Sequence, residues 1–590
     1  MQSKKSTTIL LKRLWQHISP RRRKQFALLQ MLMLITSFAD IISIGAVLPF
    51  LGVLTYPERV FENTLAKPII QELNLTEPSQ LILPLTILFC TAAFVAGAMR
   101  VLLLWASTRL TYATGSDLSH SVYRRTLYQS YAIHCNRNSS ELITGISIKS
   151  LLAISFISNI LSIVTSVVML VIVLITLLTI QPLIAFAAFF GFGLIYMLIT
   201  RLAQKQLLKD SHTAALESTH VVKILQEGLG GIRDVLIDGS QETYCQIYSN
   251  SDQRLRRAQG NHTFISASPR HGIETLGMIL IAGLAYSLAV GKDGLFNAIP
   301  ILGVLALGAQ RLLPTLQNIY AAWSGIQGNK ASLQDYLDLL DQPLPEYVNQ
   351  PVDQQFQFRH SINFKQLSFS YSKQSPYVLE KLNLTILKGA RVGFIGTTGS
   401  GKSTLLDIVM GLLQPTIGTI EIDGQAVTHY NNRAWQAHIA HVPQAIFLTD
   451  GTIEENIAFG VPIDQINRPR VLLAAQKAQI SGIIESWAHQ YQTIVGERGI
   501  RLSGGQRQRI GIARALYKQA DVIVFDEATS ALDYETEQAV MQSVEDLSKE
   551  LTLLIIAHRT ETLKNCTQIV ELGAGGIKRI GNYQEIINKL

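Results

Sequence analysis

Six long apolar runs within residues 1–316 constrain the fold of this 590-residue chain more than any other feature. Each run is near or above the ~20 residues that a helix needs to cross the hydrocarbon core of a bilayer. The third and fourth runs follow each other directly, so a tight turn is expected near Gln181 and Pro182. The predicted membrane spans are roughly 26–54, 81–107, 152–180, 182–201, 272–291 and 296–316.

The charge between these runs predicts how the spans are oriented. Cytoplasmic loops carry an excess of Lys and Arg, and residues 1–25 and 202–271 are both rich in these side chains. Loop 55–80 has four Glu and only two basic residues, so it is expected outside. We therefore predict a multi-pass protein of the plasma (inner) membrane with both termini in the cytoplasm. The net charge of +8 fits such basic loops, and no basic face interleaved with aromatic side chains indicates nucleic-acid binding.

The segment Gly396–Thr404 matches the phosphate-binding P-loop pattern G-x-x-x-x-G-K-[ST]. It follows a predicted strand and opens a helix, which is the context that the motif requires. Its glycines let backbone N–H groups approach phosphates, and the helix N-terminus adds partial positive charge. Lys402 is expected to reach the β- and γ-phosphate oxygens of ATP, and Ser403 is expected to bind Mg²⁺. The predicted ATP-binding residues are Gly396, Thr397, Thr398, Gly399, Ser400, Gly401, Lys402, Ser403 and Thr404.

An apolar run at 522–525 reads as a buried parallel strand and ends in Asp526 and Glu527. Because the chain also has a P-loop, we expect Asp526 to support Mg²⁺ and Glu527 to polarise the attacking water. The alternative is an acidic pair that caps the next helix. The preferred interpretation predicts an ATP hydrolase that requires ATP and Mg²⁺.

A second anion-binding turn precedes a predicted helix that begins at Arg507. One domain has only one phosphate cradle, so this turn suggests a nucleotide held by a facing copy of the domain. Because no motif position is degenerate, we expect a homodimer in which both sites hydrolyse ATP. The residues of this second turn are Ser503, Gly504, Gly505 and Gln506.

Two further patterns divide the chain into domains. From residue 361 short strands alternate with helices, which predicts an α/β fold, and residues 341–360 are polar and contain proline, as a linker does. We therefore predict a multi-domain protein. An all-α transmembrane domain with six helices and cytoplasmic extensions occupies 1–340, and an α/β P-loop ATPase domain occupies 361–590.

Through these motifs, the sequence resembles an ATP-binding-cassette (ABC) transporter of the exporter type, with membrane and ATPase parts fused in one half-transporter chain. The resemblance covers nearly the whole chain. It implies that Tyr371 stacks on adenine, that Gln444 senses Mg²⁺ and the membrane interface, and that Asp533 communicates across the dimer. It also implies that His558 lies near the γ-phosphate, so Glu527, His558 and Gln444 form the expected catalytic set.

The polar segments 108–150 and 202–271 read as helical cytoplasmic extensions of the spans. Their turns, at 135–140 and 228–231, are candidates for contact with the ATPase domain, and plain loops are the alternative. Outside the membrane, apolar residues of 60–73 recur at roughly helical spacing. That stripe is expected either to lie on the outer leaflet and touch a lipid tail, or to cap the spans.

Ionisable residues in or beside the spans are candidates for the translocation path. Arg100, Arg270 and Arg311, doubled by symmetry, predict an arginine-rich cavity suited to phosphate or pyrophosphate. The alternative is pairing, for instance of Asp40 with an arginine, or snorkelling to the interface.

The membrane half looks similar to the lipid-linked oligosaccharide flippase and polysaccharide or glycolipid exporter group, through residues 310–314 and 230–234. The resemblance implies an ATP-driven flippase that moves a lipid-linked oligosaccharide or related glycolipid by alternating access. The alternatives are a flippase for lipid A or phospholipid, and a multidrug or peptide exporter. A non-transporting ABC ATPase with a membrane anchor would hydrolyse ATP without responding to any lipid.

Overall fold

The computed structural model describes residues 6–55, 57–61, 76–180, 182–290, 312–350, 356–372, 374–527, 532–545, 550–557, 560–573 and 575–587. The chain divides into two compact units. The first comprises Met1–Gln129 and Arg137–Leu344, and the second comprises Ser130–Asn136 and Pro345–Leu590. The main boundary therefore falls between Leu344 and Pro345, inside the segment that we predicted as a linker.

The described part of the first unit is helical. Pro20 and Pro182 stand at the first positions of their helices, where the missing N–H leaves no hydrogen bond unmade. The helices that begin in this half of the chain are α1 Thr7–His17, α2 Pro20–Gly45, α3 Val47–Thr55, α4 Pro57–Phe61, α5 Ile82–Leu127, α6 Tyr131–Asn136, α7 Ser139–Thr144, α8 Ser150–Ile180, α9 Pro182–Gly230, α10 Ile232–Ile237, α11 Gln241–Val290, α12 at 312–328 and α13 Lys330–Leu340. A π-helical turn, Gly145–Lys149, joins α7 to α8.

Three helical stretches among the described residues are long and apolar enough to cross a membrane: Pro20–Ser43, Pro78–Leu127 and Ser139–Ile175. Helices α9 and α11 are also long, with 49 and 50 residues. The predicted sixth span lies outside the described residues up to position 311, as does most of the 60–73 stripe.

The first predicted span, 26–54, is not one helix. Helix α2 ends at Gly45 and α3 begins at Val47. Pro49 explains the break, because it has no N–H to donate and its ring clashes with the carbonyl of the residue four positions earlier, Gly45.

The two predicted cytoplasmic turns have different structures. At 135–140 the chain passes from α6 to α7, and the side chain of Asn138 caps α7 by accepting from the N–H of Ser140 at 3.0 Å. At 228–231 it passes from α9 to α10 with one residue, Gly231, between them. Helix α6 belongs to the second unit, whereas α10 belongs to the first.

The second unit contains two β-sheets. The larger has the strand order β10-β9-β3-β8-β7-β6, and all of its neighbouring pairs are parallel except β10 with β9. The smaller is antiparallel, with the order β2-β1-β4-β5. The strands are β1 Ser361–Phe369, β2 Leu379–Leu387, β3 Arg391–Gly396, β4 Ile417–Ile422, β5 Gln425–Ala426, β6 Ile439–Val442, β7 Val522–Asp526, β8 Thr552–Ile556, β9 Gln568–Gly573 and β10 Gly576–Gly581.

Helices cover both faces of the larger sheet, which is why β7 and β8 are apolar on both sides. Val522 and Val524 pack into one core cluster, and Ile523 and Phe525 pack into another. The helices are α14 Lys402–Val409, α15 Asn432–Ala437, α16 Ile453–Ile457, α17 Arg468–Lys477, α18 Ser481–Glu485, α19 Gly504–Lys518, α20 Tyr534–Glu545 and α21 Tyr583–Ile587.

Two phenylalanines of the predicted linker are buried in the second unit. Phe356 and Phe358 belong to the core cluster that lies between the two sheets, and the edge of Phe358 meets the face of Trp435 with ring centres 5.8 Å apart. The C-terminal part of that segment therefore packs as part of the α/β fold.

Candidate active site

The P-loop lies at the carboxyl end of β3, where ligands bind in parallel α/β sheets. Gly401 has φ +93° and a Cβ there would lie 2.7 Å from Cδ2 of Leu379. A Cβ on Gly396 would meet the carbonyl oxygen of Leu572. Only glycine fits at these two positions, so the chain can curl tightly between β3 and α14 and turn its backbone toward the loop centre.

Three groups around this loop fit a phosphate. The hydroxyl of Ser400 has no hydrogen-bond partner among the described residues, although the residue is only 4% exposed. Lys402 Nζ donates to the carbonyl oxygens of Gly396 and Thr397 at 2.7 and 3.1 Å, which holds the ammonium over the loop. The N-terminus of α14 adds its partial positive charge. A buried unpartnered donor, a cation and a helix N-terminus match the acceptor-rich phosphates of ATP.

Asp526 ends β7, one strand away from the P-loop across β8. Burial and the neighbouring charge of Glu527 raise the pKa of Asp526, and the charge of Lys402 opposes this effect. Burial disfavours the negative charge of such a carboxylate. A divalent cation beside it compensates that charge and so favours the ionised form, which makes the carboxylate a suitable ligand. Asp526 and Ser403 are thus the residues that would hold Mg²⁺.

The sequence did not single out Asp407, which lies on the helix that follows the P-loop. Burial and the charge of Asp526 raise its pKa to about 6. The only available signal was an acidic residue on a helix that begins at a phosphate site, and such a residue is equally common on solvated faces.

Gln444 and Glu527 are brought together although 83 residues separate them. Gln444 Nε2 donates to Glu527 Oε2 at 2.7 Å, and the N–H of Glu527 donates to the carbonyl of Ile556 at 3.0 Å. Glu527 has φ +53°, in the left-handed region that non-glycine residues rarely occupy. Strain of this kind concentrates at functional sites, where the surrounding structure fixes one side-chain direction.

Tyr371 lies at the exposed rim of the P-loop. Its hydroxyl is 3.0 Å from Oγ1 of Thr404, and the edge of its ring meets Phe369 with ring centres 5.0 Å apart. An exposed aromatic face anchored to the P-loop helix is a reasonable platform for a nucleotide base.

The second anion-binding turn forms the start of α19. Ser503 Oγ accepts from the N–H of Gln506 at 3.2 Å, and Gln506 Oε1 accepts from the N–H of Ser503 at 2.8 Å. This reciprocal capping box orders the turn. No hydrogen bond between described residues joins residues 502–506 to the P-loop of the same chain.

Asp533 caps α20. It accepts from the N–H and the hydroxyl of Thr536 at 2.9 and 2.8 Å, and these hydrogen bonds lower its pKa. Two further predicted site residues, His558 of the catalytic set and Arg311 of the candidate substrate set, lie outside the described residues.

The two described candidate substrate arginines are both paired with carboxylates. Arg100 Nε donates to Asp40 Oδ1 at 2.8 Å, and Arg270 Nε donates to Glu274 Oε1 at 2.9 Å. The Asp40 side chain is 6% exposed and that of Arg100 is 39% exposed, so the first pair is largely buried. The pairing that we named as the alternative for Asp40 is therefore what the structure contains.

Sequence comparisons agree with the architecture of both units. Residues 16–291 match the ABC transporter transmembrane region and residues 379–530 match the ABC transporter family. An ATP-dependent lipid A-core flippase of Alkalilimnicola ehrlichii is 30% identical over 402 residues, which are 68% of this chain and 67% of that protein. A protein of the same name from Hahella chejuensis is 37% identical over 264 residues, 45% of each chain.

A solved structure shares the fold. A bacterial Atm1-family ABC exporter with ATP bound aligns with a TM-score of 0.77 over 96% of both chains, at 22% sequence identity. This similarity extends across both halves of the chain, and the sequence matches cover the P-loop and the membrane helices. The chain therefore belongs to the ABC transporters, as a polypeptide that joins a helical transmembrane domain to an α/β ATPase for ATP-driven transport.

Proposed function

We propose that this chain works as a homodimer in the plasma (inner) membrane and flips an anionic glycolipid, with lipid A-core as the leading candidate. The observation that carries the proposal is the similarity, over two thirds of the chain, to proteins named as lipid A-core flippases. That similarity favours the lipid A alternative over the lipid-linked oligosaccharide. The oligosaccharide remains a separate arm of the experiment below.

The P-loop binds the phosphates of ATP in this proposal. Lys402 leaves the carbonyls of Gly396 and Thr397 for the β- and γ-phosphate oxygens, and Ser400 supplies its unpartnered hydroxyl. Ser403 and Asp526 hold Mg²⁺, which neutralises charge on the phosphates when it is bound. Tyr371 supports the base from the rim.

Glu527 acts on the attacking water, and Gln444 fixes the direction of its carboxylate through the 2.7 Å hydrogen bond. Ser503 of the facing copy completes the site, because a helix N-terminus opposite the P-loop stabilises phosphate charge. ATP is thus held between two ATPase domains, and hydrolysis separates them. Closure and separation drive alternating access in the transmembrane domain.

The arginine cavity is the weakest support for an anionic head group. Arg100 forms an ion pair with the buried carboxylate of Asp40. The Arg270 side chain is 62% exposed, and an exposed ion pair such as that of Arg270 with Glu274 contributes little to stability. Arg270 can therefore exchange Glu274 for a phosphate at small cost. We propose Arg270, and not Arg100, as the first residue to test for contact with the head group.

The test is ATP hydrolysis by the purified protein in lipid nanodiscs, with lipid A-core, a polyprenyl-pyrophosphate oligosaccharide or phospholipid added in turn. We expect lipid A-core to increase turnover and Arg270→Ala to weaken that increase without lowering basal turnover. Stimulation only by the oligosaccharide would replace the proposed substrate.

Turnover that responds to none of the lipids would favour an ABC ATPase that does not flip lipid.

Arg256→Ala is the matched control for Arg270→Ala. Arg256 also forms an ion pair within one helix, with Asp252, and its side chain is similarly exposed. We expect this variant to retain the full lipid response.

A further inference from the structure

Three consecutive residues that follow Gln444 after one intervening position, 446–448, contact helix α19 or the turn before it, and we call α19 the signature helix. We call residues 446–448 the post-glutamine segment. A Cβ on Gly511 of α19 would lie 2.5 Å from Cδ1 of Ile446, so helix and segment approach closely there. Arg514, one turn further along α19, donates from Nη1 to the carbonyl of Phe447 at 3.0 Å. Leu448 is buried, and a Cβ on Gly499 would lie 2.6 Å from its Cδ1.

Arg514 also fixes the far end of the loop that continues from this segment. Its Nε donates to the carbonyl of Asn456 at 2.9 Å, and its guanidinium lies 4.5 Å from the ring centre of Phe459. Asn456 is buried and exchanges hydrogen bonds with both backbone groups of Thr449, each at 3.0 Å. One guanidinium therefore joins the signature helix both to the post-glutamine segment and to α16, which contains Asn456.

The chemistry of arginine suits this role. Its planar fork holds several donors at fixed angles, so the two carbonyl groups that it binds keep one orientation, whereas the donors of a lysine ammonium rotate about a single nitrogen. Burial lowers the pKa of Arg514 to about 10, so the side chain remains a cation at neutral pH. The hydrogen-bond partners described above are neutral oxygens of Phe447 and Asn456, so the cation fixes backbone positions and does not form an ion pair through them.

We infer that Arg514 is a positioning residue for ATP hydrolysis, which holds Gln444 in a fixed relation to the signature helix. Gln444 lies two residues before the post-glutamine segment and bonds Glu527. Ser503 lies at the other end of the same helix, α19. The contacts of α19 with the post-glutamine segment therefore link the turn at Ser503 to the place of Gln444 beside Glu527. The inference rests on the proposed roles of Gln444 and Glu527.

The test compares Arg514→Met and Arg514→Lys with a matched control, Arg470→Met. Arg470 also lies over an aromatic ring of α19, with its guanidinium 4.7 Å from the ring centre of Tyr517, but it bonds no residue of the post-glutamine segment. We expect kcat for ATP to fall about 10- to 100-fold in Arg514→Met, as misplacement of a catalytic group predicts. KM for ATP should stay within about twofold of the wild type, because an interaction that acts only on the reacting state lowers kcat alone.

A double-mutant cycle with Gln444→Ala separates positioning from general damage to the fold. If Arg514 acts through Gln444, then Arg514→Met should cause little further loss of kcat in the Gln444→Ala background. Losses that multiply in the double variant overturn the inference. A normal kcat in Gln444→Ala alone would instead remove the proposed role of Gln444.

Gly511→Ala provides a second route if Arg514→Met does not fold. Its new Cβ displaces Ile446 without touching the arginine, and the same fall in kcat without a change in KM is expected. A folded Gly511→Ala protein with full kcat contradicts the inference. Arg514→Lys, which keeps the charge and loses the fork, should behave like Arg514→Met and not like the wild type.

Discussion

Replacing Glu527 by Gln is expected to lower steady-state ATP turnover by about 10²- to 10⁴-fold while leaving ATP binding intact. Glutamine keeps the shape of the side chain, and its amide oxygen can still accept from Gln444 Nε2 as the carboxylate does at 2.7 Å. It cannot accept a proton from the attacking water. The P-loop is unaffected, so the variant should hold ATP and accumulate as a closed dimer.

Turnover by a phosphate-release assay and retention of labelled ATP after gel filtration measure the two effects separately. Glu535→Gln is the matched control, because Glu535 is an exposed residue in the first turn of α20, and it should behave like the wild type. Rapid steady-state hydrolysis by Glu527→Gln would falsify the assignment of Glu527. Loss of ATP binding by Glu527→Gln would instead indicate that the carboxylate is needed to keep the left-handed backbone at this residue, and with it the ATP site, in place.

Arg100→Ala is expected to destabilise the transmembrane domain by about 2–4 kcal/mol. The change leaves the carboxylate of Asp40 buried without its 2.8 Å hydrogen bond. The estimate lies toward the low end for a broken buried pair, because the Arg100 side chain is 39% exposed and only the Asp40 carboxylate is buried. Arg270→Ala should cost about 0.5 kcal/mol or less, since its partner is an exposed neighbour on the same helix.

Thermal unfolding of both variants in the same nanodiscs tests this difference. The double replacement Asp40→Leu with Arg100→Leu should recover most of the lost stability, because exchanging a buried pair for apolar residues is often neutral or stabilising. Equal unfolding temperatures for the wild type and Arg100→Ala would show that the ion pair contributes nothing. If that stable variant also lost the lipid response, Arg100 would again be a candidate for contact with the substrate.

The sequence predicted the parts of the fold and site that depend on local patterns. The P-loop turn is specified by Gly396 and Gly401 because these positions have no room for a side chain. The apolar run before Asp526 could only be a strand buried on both faces, and it forms β7. The helix that we expected after the second anion-binding turn forms as α19, but it begins at Gly504 and not at Arg507, because Ser503 and Gln506 cap it.

The remainder depended on contacts between distant residues. Nothing near Asp40 or Arg100 indicates that these two residues, 60 positions apart, form a pair. Phe356 lies in a polar stretch, and only the neighbouring core shows that it is buried. The break at Ala46 was predictable in principle from Pro49, but the continuous apolar run concealed it. Composition identifies which residues avoid water, and it does not identify their neighbours.

The length of the helices in the first unit has a mechanical consequence. Helix α5 contains 46 residues and α11 contains 50. At 1.5 Å per residue each is about 70 Å long, more than twice the ~30 Å of hydrocarbon that a bilayer presents. A straight helix of this length works as a lever: a tilt of about 5° moves one end by about 6 Å relative to the other. Helix α11 contains Pro269, where a helix can bend, so the lever argument applies first to α5. Small rotations at one end of such a helix are thus amplified into displacements of several ångströms at the other end.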